Sequence, residues 1–372
     1  MGENITNIAK KIVSDYNELD ITIATLGSHS ALEICEGAKK FGFKTLVVCK
    51  KGREKVYTKY YKNIVDEAIV LDDFKDILNE DVQNILISRN SIFIPHRSFV
   101  VYVGWKNIEE KFRVPIFGNR YLLKFEERDV RPNQYDVLKE AGIRIPKLYR
   151  SIDEIDRLVI IKLKEKERKY ERFFVLASNP EEARNKLNEL LKSGKIDKID
   201  ENNLTIEEYI VGTLFNFNFF YSKVREELEL AGIDFRRQTN LDGILRIPSK
   251  FQLEVLKYLD IKYIEIGHIV CTIRESMLEK AFEYGEKFLK AVKKFSEYGL
   301  FGPFALQSAV IPGPPKEEIV VYDVSFRIPG SPGIVYSPYS YYKWSRPFGM
   351  GARIAMEIKE AIENNKLKEI VT

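Results

Sequence analysis

The chain has few cysteines and no long apolar run, and both shortages restrict where it works. Only three cysteines occur in 372 residues, each in an apolar stretch: Cys35, Cys49 and Cys271. This predicts reduced core thiols rather than a disulfide framework. No apolar run has the length needed to cross a bilayer, and the first residues lack the apolar core of a secretory signal. We therefore expect a cytoplasmic protein with no membrane partner.

The sequence also lacks an excess of charge of one sign. Its 59 basic residues are nearly balanced by 55 acidic residues, which gives a net charge of +4. The Lys and Arg residues are spread along the chain, whereas nucleic acid binding needs a concentrated basic surface. We expect no nucleic acid partner. The hydrophobic content of 45% instead predicts a globular protein with a sizeable core.

Strand-like and helix-like segments alternate through the first hundred residues. Apolar runs at 21–26 and 44–49 are typical of buried strands, and between them apolar residues recur at the helical spacings of three and four. This alternation predicts an α/β fold with a doubly wound (Rossmann-like) parallel-sheet domain at 1–130. Hairpins mixed with helices follow, so we expect an α+β region with units at 131–210 and 211–372.

Polar residues follow two of the predicted parallel strands. The segment TLGSHS (25–30) lies between a strand and a helix, and IPHRS (94–98) has the same placement. Ligands bind at the carboxyl ends of parallel strands, and the N–H groups of a helix N-terminus bind phosphate. His29 and Ser98 therefore face a predicted ligand crevice, although a helix cap with an incidental histidine explains the first segment equally well. His268 lies in an apolar run and is interpreted as a core or strand-end histidine.

Two further strands carry side chains that can bind a metal. Gln307 lies in FALQS and Asp323 in VVYDVSFR, both otherwise apolar, and a Pro-Gly loop between them predicts adjacent antiparallel strands. A buried Asp without a partner is costly, and Mg²⁺ prefers oxygen ligands. We predict that Gln307, Asp323 and Ser325 surround one hard cation. In IEEYIVG (206–212), two carboxylates precede an apolar turn, which a generic helix end would also explain.

Eight blocks carry a resemblance to a known family: TIATLGSHSALEICEGAKKFGF, IPHRSFVVYVG, VPIFGNR, EAGIRIPK, IEEYIVGT, NLDGILRIPSK, IRES and FGPFALQS. In this order along almost the whole chain, they resemble the archaeal PurP family, 5-formaminoimidazole-4-carboxamide ribonucleotide (FAICAR) synthetase. The resemblance implies an ATP-grasp module, with 131–210 as its small lobe and 211–372 as its large lobe with the metal site. It implies ligation of formate to AICAR ribonucleotide by way of formyl phosphate, with ATP and Mg²⁺, in purine biosynthesis. We also expect a homo-oligomer.

The resemblance assigns roles residue by residue, although it identifies no catalytic side chain with certainty. It places His29, Ser98 and Asn240 against AICAR. Gln307 and Asp323 match the metal ligands, with Asp where the family usually has Glu. Five further residues match the ATP site: Lys162, Glu207, Glu208, Tyr209 and Ile210.

The sequence departs from the family pattern mainly on the nucleotide side. The family has a Gly-rich loop after the lysine strand, whereas the highly charged segment KEKERKYER (164–172) contains no glycine. Glycine supplies the close backbone approach that a phosphate cradle needs. Pro329 and Pro332 enter the segment after the metal strand, and Arg97 stands where the family pattern has Gly. The alternative to a ligase is thus a non-catalytic or regulatory purine-nucleotide-binding paralogue that has lost the phosphate-binding loop.

Overall fold

The computed structural model describes six stretches of the chain: residues 4–127, 130–163, 174–194, 204–259, 264–313 and 315–372. The charged segment 164–172 lies outside these residues. Within the described stretches, no helix has the length and apolar character that a membrane span requires.

The described residues form thirteen strands and twelve α-helices. The strands are β1 Thr22–Leu26, β2 Lys44–Lys50, β3 Glu67–Leu71, β4 Ser91–Phe93, β5 Leu148–Tyr149, β6 Val159–Leu163, β7 Phe174–Ala177, β8 Leu204–Glu208, β9 Thr213–Ser222, β10 Glu227–Gln238, β11 Glu265–Cys271, β12 Gly302–Ile311 and β13 Glu318–Ser325. The helices are α1 Ile5–Ser14, α2 Ala31–Lys40, α3 Glu80–Ser88, α4 Arg97–Val103, α5 Trp105–Glu110, α6 Gln134–Glu140, α7 Pro180–Lys192, α8 Thr239–Ile244, α9 Ser249–Val255, α10 Glu275–Val292, α11 Pro338–Trp344 and α12 Met350–Glu363.

The N-terminal strands form a parallel sheet in the order β3-β2-β1-β4. Every residue of β1 is buried, as expected for a central parallel strand that is covered on both faces. The prediction of a doubly wound parallel sheet is confirmed. This arrangement brings the turns after β1 and β4 to the same edge of the sheet.

Two antiparallel sheets make up the rest of the molecule. The smaller has the order β5-β8-β6-β7, and the larger has the order β11-β10-β9-β12-β13. In the smaller sheet, β6 and β7 pair as a hairpin, with Lys162 opposite Phe174. In the larger sheet, β12 and β13 pair with Gln307 directly opposite Asp323. The pairing of β12 with β13 agrees with the sequence prediction and brings the two predicted metal ligands together.

The core of the N-terminal sheet is shared with the end of the chain. Ile23 of β1 belongs to the same buried cluster as Ile354 of α12. Helices α2 and α12 cross so closely that a Cβ on Gly37 would lie 2.1 Å from the carbonyl carbon of Gly351. The small antiparallel sheet has a separate core, in which Val159 packs with residues of α7.

Candidate functional site

The turn between β1 and α2 holds His29 beside the turn that follows β4. His29 has a φ of 48°, in the left-handed region that few non-glycine residues adopt. Ser98 Oγ donates to Ser28 Oγ at 3.0 Å across the two turns. The structure therefore brings His29 and Ser98 to one edge of the sheet, as the strand pattern predicts. Their contact with AICAR remains a prediction.

The hydrogen bonds of His29 indicate which ring nitrogen carries the proton. Ser30 Oγ donates to the carbonyl oxygen of Pro329 at 3.0 Å and lies 2.9 Å from His29 Nδ1. Because the serine proton is used, Nδ1 carries the hydrogen and Nε2 is left as an acceptor. His29 is exposed at the sheet edge. Desolvation of the imidazole by the surrounding chain lowers its pKa, and the positive charge of Arg327 lowers it further. The ring is therefore neutral at physiological pH.

A second neutral histidine lies behind the first. The rings of His29 and His96 stack with their centroids 5.7 Å apart. His96 is fully buried, and burial lowers its pKa to about 4. Its Nε2 lies 2.9 Å from the carbonyl oxygen of Leu26, so Nε2 carries the proton. The exposed His29 ring can exchange hydrogen bonds with a base or sugar, but neither neutral ring contributes positive charge for a phosphate.

The segment 327–331 connects this sheet edge to the large antiparallel sheet. Pro329 accepts the bond from Ser30, and Gly330 packs against the ring of His29. A Cβ at Gly330 would lie 2.5 Å from His29 Cε1, so only glycine fits there without a shift of the ring. The proline-containing segment that departs from the family pattern is therefore the piece that joins the two halves of the crevice.

His268 belongs to a polar network rather than to the apolar core. Its Nδ1 lies 2.5 Å from Asp234 Oδ2 and 3.1 Å from Ser331 Oγ, and its Nε2 lies 2.9 Å from Glu265 Oε1. Burial lowers the pKa of His268, but the two carboxylates outweigh burial and raise it to about 9. The expectation of a core or strand-end histidine missed this role, because Asp234 lies on a different strand.

The predicted ATP residues meet in the small sheet. Lys162 Nζ on β6 lies 2.7 Å from Glu207 Oε2 on β8, and Glu207 is only 2% exposed. Glu208 accepts from Arg144 Nη2 at 2.8 Å and from the Lys147 N–H at 3.0 Å. Burial opposes ionisation of Glu208, but these donors lower its pKa below the ordinary value. Both carboxylates end a strand, so the alternative of a helix end is wrong.

Residues after β8 connect the small sheet to the large one. The Tyr209 N–H donates to the carbonyl oxygen of Leu158 at 2.9 Å. Tyr209 and Ile210 are half-buried, and Gly212 then passes so close to Val310 that a Cβ would lie 2.5 Å from its carbonyl oxygen. Tyr209 and Ile210, two of the predicted ATP-site residues, therefore form the link between the two sheets. Asn240, half-buried, lies in the first turn of α8.

The predicted metal ligands are neighbours on β12 and β13. Gln307 Nε2 donates to Ser325 Oγ at 3.2 Å, and Gln307 Oε1 accepts from Arg236. Arg236 Nη2 also lies 4.0 Å from Asp323 Oδ2. The described residues contain no cluster of three or more His, Cys, Asp or Glu that could enclose a metal.

Two adjacent oxygen ligands still fit Mg²⁺, because this ion commonly binds through one or two protein oxygens and completes its shell with phosphates and water. Gln307 and Asp323 supply one amide oxygen and one carboxylate from neighbouring strands. Arg236 would have to release Gln307 Oε1 for that ligand set to form.

Three arginines near the crevice were not predicted as site residues: Arg97, Arg236 and Arg327. Arg97 and Arg327 both contact Glu126, whose side chain is 5% exposed. Arg236 Nε lies 2.7 Å from Glu265 Oε2. The departure from the family pattern at position 97 was the one signal in the sequence that pointed to this group.

Comparison with known proteins identifies the family. Two family models match the chain. The model described as "Protein of unknown function (DUF1246)" matches residues 23–149, and the model described as "Domain of unknown function (DUF1297)" matches residues 182–372. A "5-formaminoimidazole-4-carboxamide-1-(beta)-D-ribofuranosyl 5'-monophosphate synthetase" of Methanobrevibacter smithii is 41% identical, with 100% of both chains covered. A protein of the same name from Methanothermobacter thermautotrophicus is 43% identical, with 97% of each chain covered. This chain belongs to the PurP family. The family resemblance seen in the sequence is confirmed.

Solved structures agree with this assignment. An IMP biosynthesis protein PurP from Thermococcus kodakaraensis is 29% identical, with a TM-score of 0.70, covering 94% of this chain and 100% of that chain. The N5-carboxyaminoimidazole synthetase of Staphylococcus aureus, solved with ADP, has a TM-score of 0.57 at 14% identity over 93% of this chain and 79% of that chain. The second likeness concerns the fold alone. The predicted ATP-grasp fold is confirmed.

Proposed function

We propose that this chain is an ATP-dependent ligase that joins formate to the 5-amino group of AICAR ribonucleotide in purine (IMP) biosynthesis. Its products are FAICAR, ADP and phosphate. Full-length kinship with FAICAR synthetases supports the assignment. The structural observation that carries it is the segment 327–331, which joins the turn of His29 to the sheet that holds Gln307 and Asp323. An amine-bearing nucleotide and Mg·ATP could thus meet in one crevice.

The proposed ATP-site and metal-site residues have separate roles in phosphoryl transfer. Glu207 positions the ammonium of Lys162 for the ATP phosphates, and the link after β8 offers backbone groups to adenine. Gln307 and Asp323 would hold Mg²⁺, which would offset the negative charge of the ATP phosphates during transfer. Phosphoryl transfer depends largely on such positioning and electrostatic stabilisation.

The proposed AICAR site offers neutral side chains and backbone N–H groups. His29 Nε2 can accept a hydrogen bond from the nucleotide, and Ser98 offers a hydroxyl. The N–H groups at the start of α2 suit the ribonucleotide phosphate, since helix N-termini attract anions. We propose that Asn240 completes this end. We further propose that the protein works in the cytoplasm as a homo-oligomer.

The test is a complete reaction with single omissions. Purified protein with ATP, Mg²⁺, formate and AICAR should release FAICAR and ADP in equal amounts, measured by chromatography. Omission of formate or AICAR should abolish FAICAR. The comparisons give the non-catalytic alternative no support, since the relatives are named synthetases. Binding of ATP and AICAR without formation of FAICAR would nevertheless establish that alternative and refute ligase activity.

A further inference from the structure

One buried carboxylate anchors two arginines, one after the turn that follows β4 and one after β13. Glu126 Oε2 accepts from Arg97 Nη1 and from Arg327 Nη2, each at 3.3 Å. Arg97 Nη1 also donates to Glu127 Oε1 at 2.9 Å, and the Phe326 N–H donates to Glu126 Oε1 at 2.9 Å. Both guanidinium groups are therefore held in place without a ligand.

Each arginine lies next to residues of a proposed substrate site. Arg97 directly precedes Ser98, on the side of the proposed site for the amine-bearing nucleotide. Arg327 connects Ser325, which accepts from Gln307 at 3.2 Å, to the segment that contacts His29. A molecule in contact with both arginines would therefore lie beside both proposed substrate sites.

The arginines keep donors available for such a molecule. Within the described part of the chain, both side-chain hydrogen bonds of Arg97 use Nη1, although a guanidinium has five N–H donors. The Arg97 side chain is 25% exposed, so ligand can reach it. Arg327 is 9% exposed, and each of its contacts with Glu126 is 3.3 Å long. A purely structural ion pair would not require a partly exposed second arginine on the same carboxylate.

We propose that Arg97 and Arg327 bind the carboxylate substrate, formate, and then hold the acyl phosphate made from it. This inference rests on the proposed ligase function. Guanidinium groups pair with planar carboxylates through two parallel N–H bonds and bind phosphate equally well. The two ligands would therefore occupy one site in succession.

The chemistry places charge where the arginines are. A formate oxygen attacks the γ-phosphorus, the bond to the β-phosphate oxygen breaks, and ADP leaves. The AICAR nitrogen then attacks the formyl carbon, the carbon–oxygen bond to phosphate breaks, and the amine proton leaves with the phosphate. In both steps, negative charge develops on oxygens between the two sites, where fixed cations stabilise it.

The test varies formate at saturating ATP and AICAR. Arg97→Gln should raise the KM for formate about ten- to a hundredfold, because it removes charge-assisted hydrogen bonds. The KM values for ATP and AICAR should stay within about twofold of wild type. Arg97→Lys should recover part of the loss. Arg89→Gln is the matched control: Arg89 forms an exposed surface ion pair with Glu67, and its loss should leave all three KM values unchanged.

Several outcomes would overturn the inference. Equal losses for all three substrates, or a lower melting temperature with an unchanged KM for formate, would assign Arg97 to structure alone. If the wild-type protein makes no FAICAR, the ligase proposal fails but the site can still be tested. Formate should then raise the melting temperature of the wild-type protein with ADP and AICAR present, and not that of Arg97→Gln. Equal shifts in both proteins, or none in either, would refute the site.

Discussion

At the scale of single residues, Asp323 is the sharpest test of the proposed metal site. Asp323→Asn should weaken Mg·ATP binding about tenfold or more, because it removes the one carboxylate of the ligand pair. AICAR binding should be nearly unchanged, and calorimetry with each ligand measures both. Asp20→Asn, at a surface ion pair with Lys44, serves as the control. An equal loss of both ligands would instead assign Asp323 a role in folding.

Lys162 provides the corresponding test of the proposed ATP-phosphate site. Its ammonium lies 2.7 Å from Glu207, so Lys162→Gln removes a positioned cation from the proposed phosphate site. We expect ATP affinity to fall about tenfold or more, since hydrogen bonds to charged groups are worth roughly 1.5–3 kcal/mol. Lys186→Gln in α7, which packs on the same small sheet and where Lys186 pairs with Glu182, should change ATP affinity less than twofold. Similar losses in both variants would contradict the assignment.

Glu33 should make stability depend on pH. It accepts from the Met350 N–H at 3.0 Å, and its Oε2 has no hydrogen-bond partner among the described residues. Burial raises the pKa of Glu33 to about 7. The folded-state pKa exceeds the ordinary value of 4.5. The contribution of Glu33 to the free energy of unfolding is therefore complete below about pH 4.5 and is lost as the pH rises through 7. Its size is roughly 1–3 kcal/mol.

Thermal unfolding between pH 5 and pH 8 measures this effect. Glu33→Gln keeps the oxygen that accepts from Met350 and cannot ionise, so the variant should be more stable than wild type at pH 8 and less dependent on pH. Glu36→Gln, in the same helix but in an exposed pair with Lys40, should keep the wild-type dependence. If the stability of Glu33→Gln depended on pH as steeply as that of wild type, the Glu33 carboxyl would already be ionised in the folded protein.

At the scale of elements, the crossing of α2 and α12 fixes the position of the β1–α2 turn. A Cβ on Gly351 would lie 2.0 Å from the carbonyl oxygen of Glu33, so Gly351→Ala must push the helix backbones apart. We expect a loss of roughly 1–3 kcal/mol or more, seen as a lower melting temperature. Gly243→Ala is the control, because the described structure leaves open space around Gly243 in α8. If both substitutions were equally tolerated, the helices would not be in backbone contact.

Local sequence pattern predicts the elements well. The strands expected at 21–26 and 44–49 occur as β1 and β2, and the helix expected between them occurs as Ala31–Lys40. Each depends on the spacing of apolar residues within its own segment. The pairing of Gln307 with Asp323 was also predictable, since a short Pro-Gly loop joins their strands and sets them side by side.

Contacts between segments that are distant in sequence could not be predicted from the sequence. Arg97, Glu126 and Arg327 meet although they belong to three different parts of the chain, and no spacing rule connects them. The network of His268 and Asp234 was missed for the same reason, because it depends on the pairing of β10 with β11. The three predicted units remain a prediction, and so does the role of the charged segment.

At the scale of the whole molecule, the end of the chain completes the N-terminal sheet. Phe93 bridges to Ile116 beside β4, and Phe117 bridges to Val371. The Ile116 N–H donates to the carbonyl oxygen of Thr372 at 3.0 Å, and the Thr372 N–H donates back at 2.9 Å. These contacts, together with the packing of α12 on α2, make the first and last segments a single cooperative structure.

Deletion of residues 349–372 should therefore unfold the distant N-terminal sheet before it affects the small one. The deletion exposes apolar side chains such as Ile23, which share a buried cluster with α12, whereas Val159 and Ile206 pack in a core that the deleted residues do not enter. In hydrogen exchange measured by mass spectrometry, peptides from β1 and β2 should lose protection, and peptides from β6 and β8 should keep most of theirs. The full chain supplies the reference for each peptide. Protection of β1 that survived the deletion would show that the N-terminal sheet folds without the end of the chain.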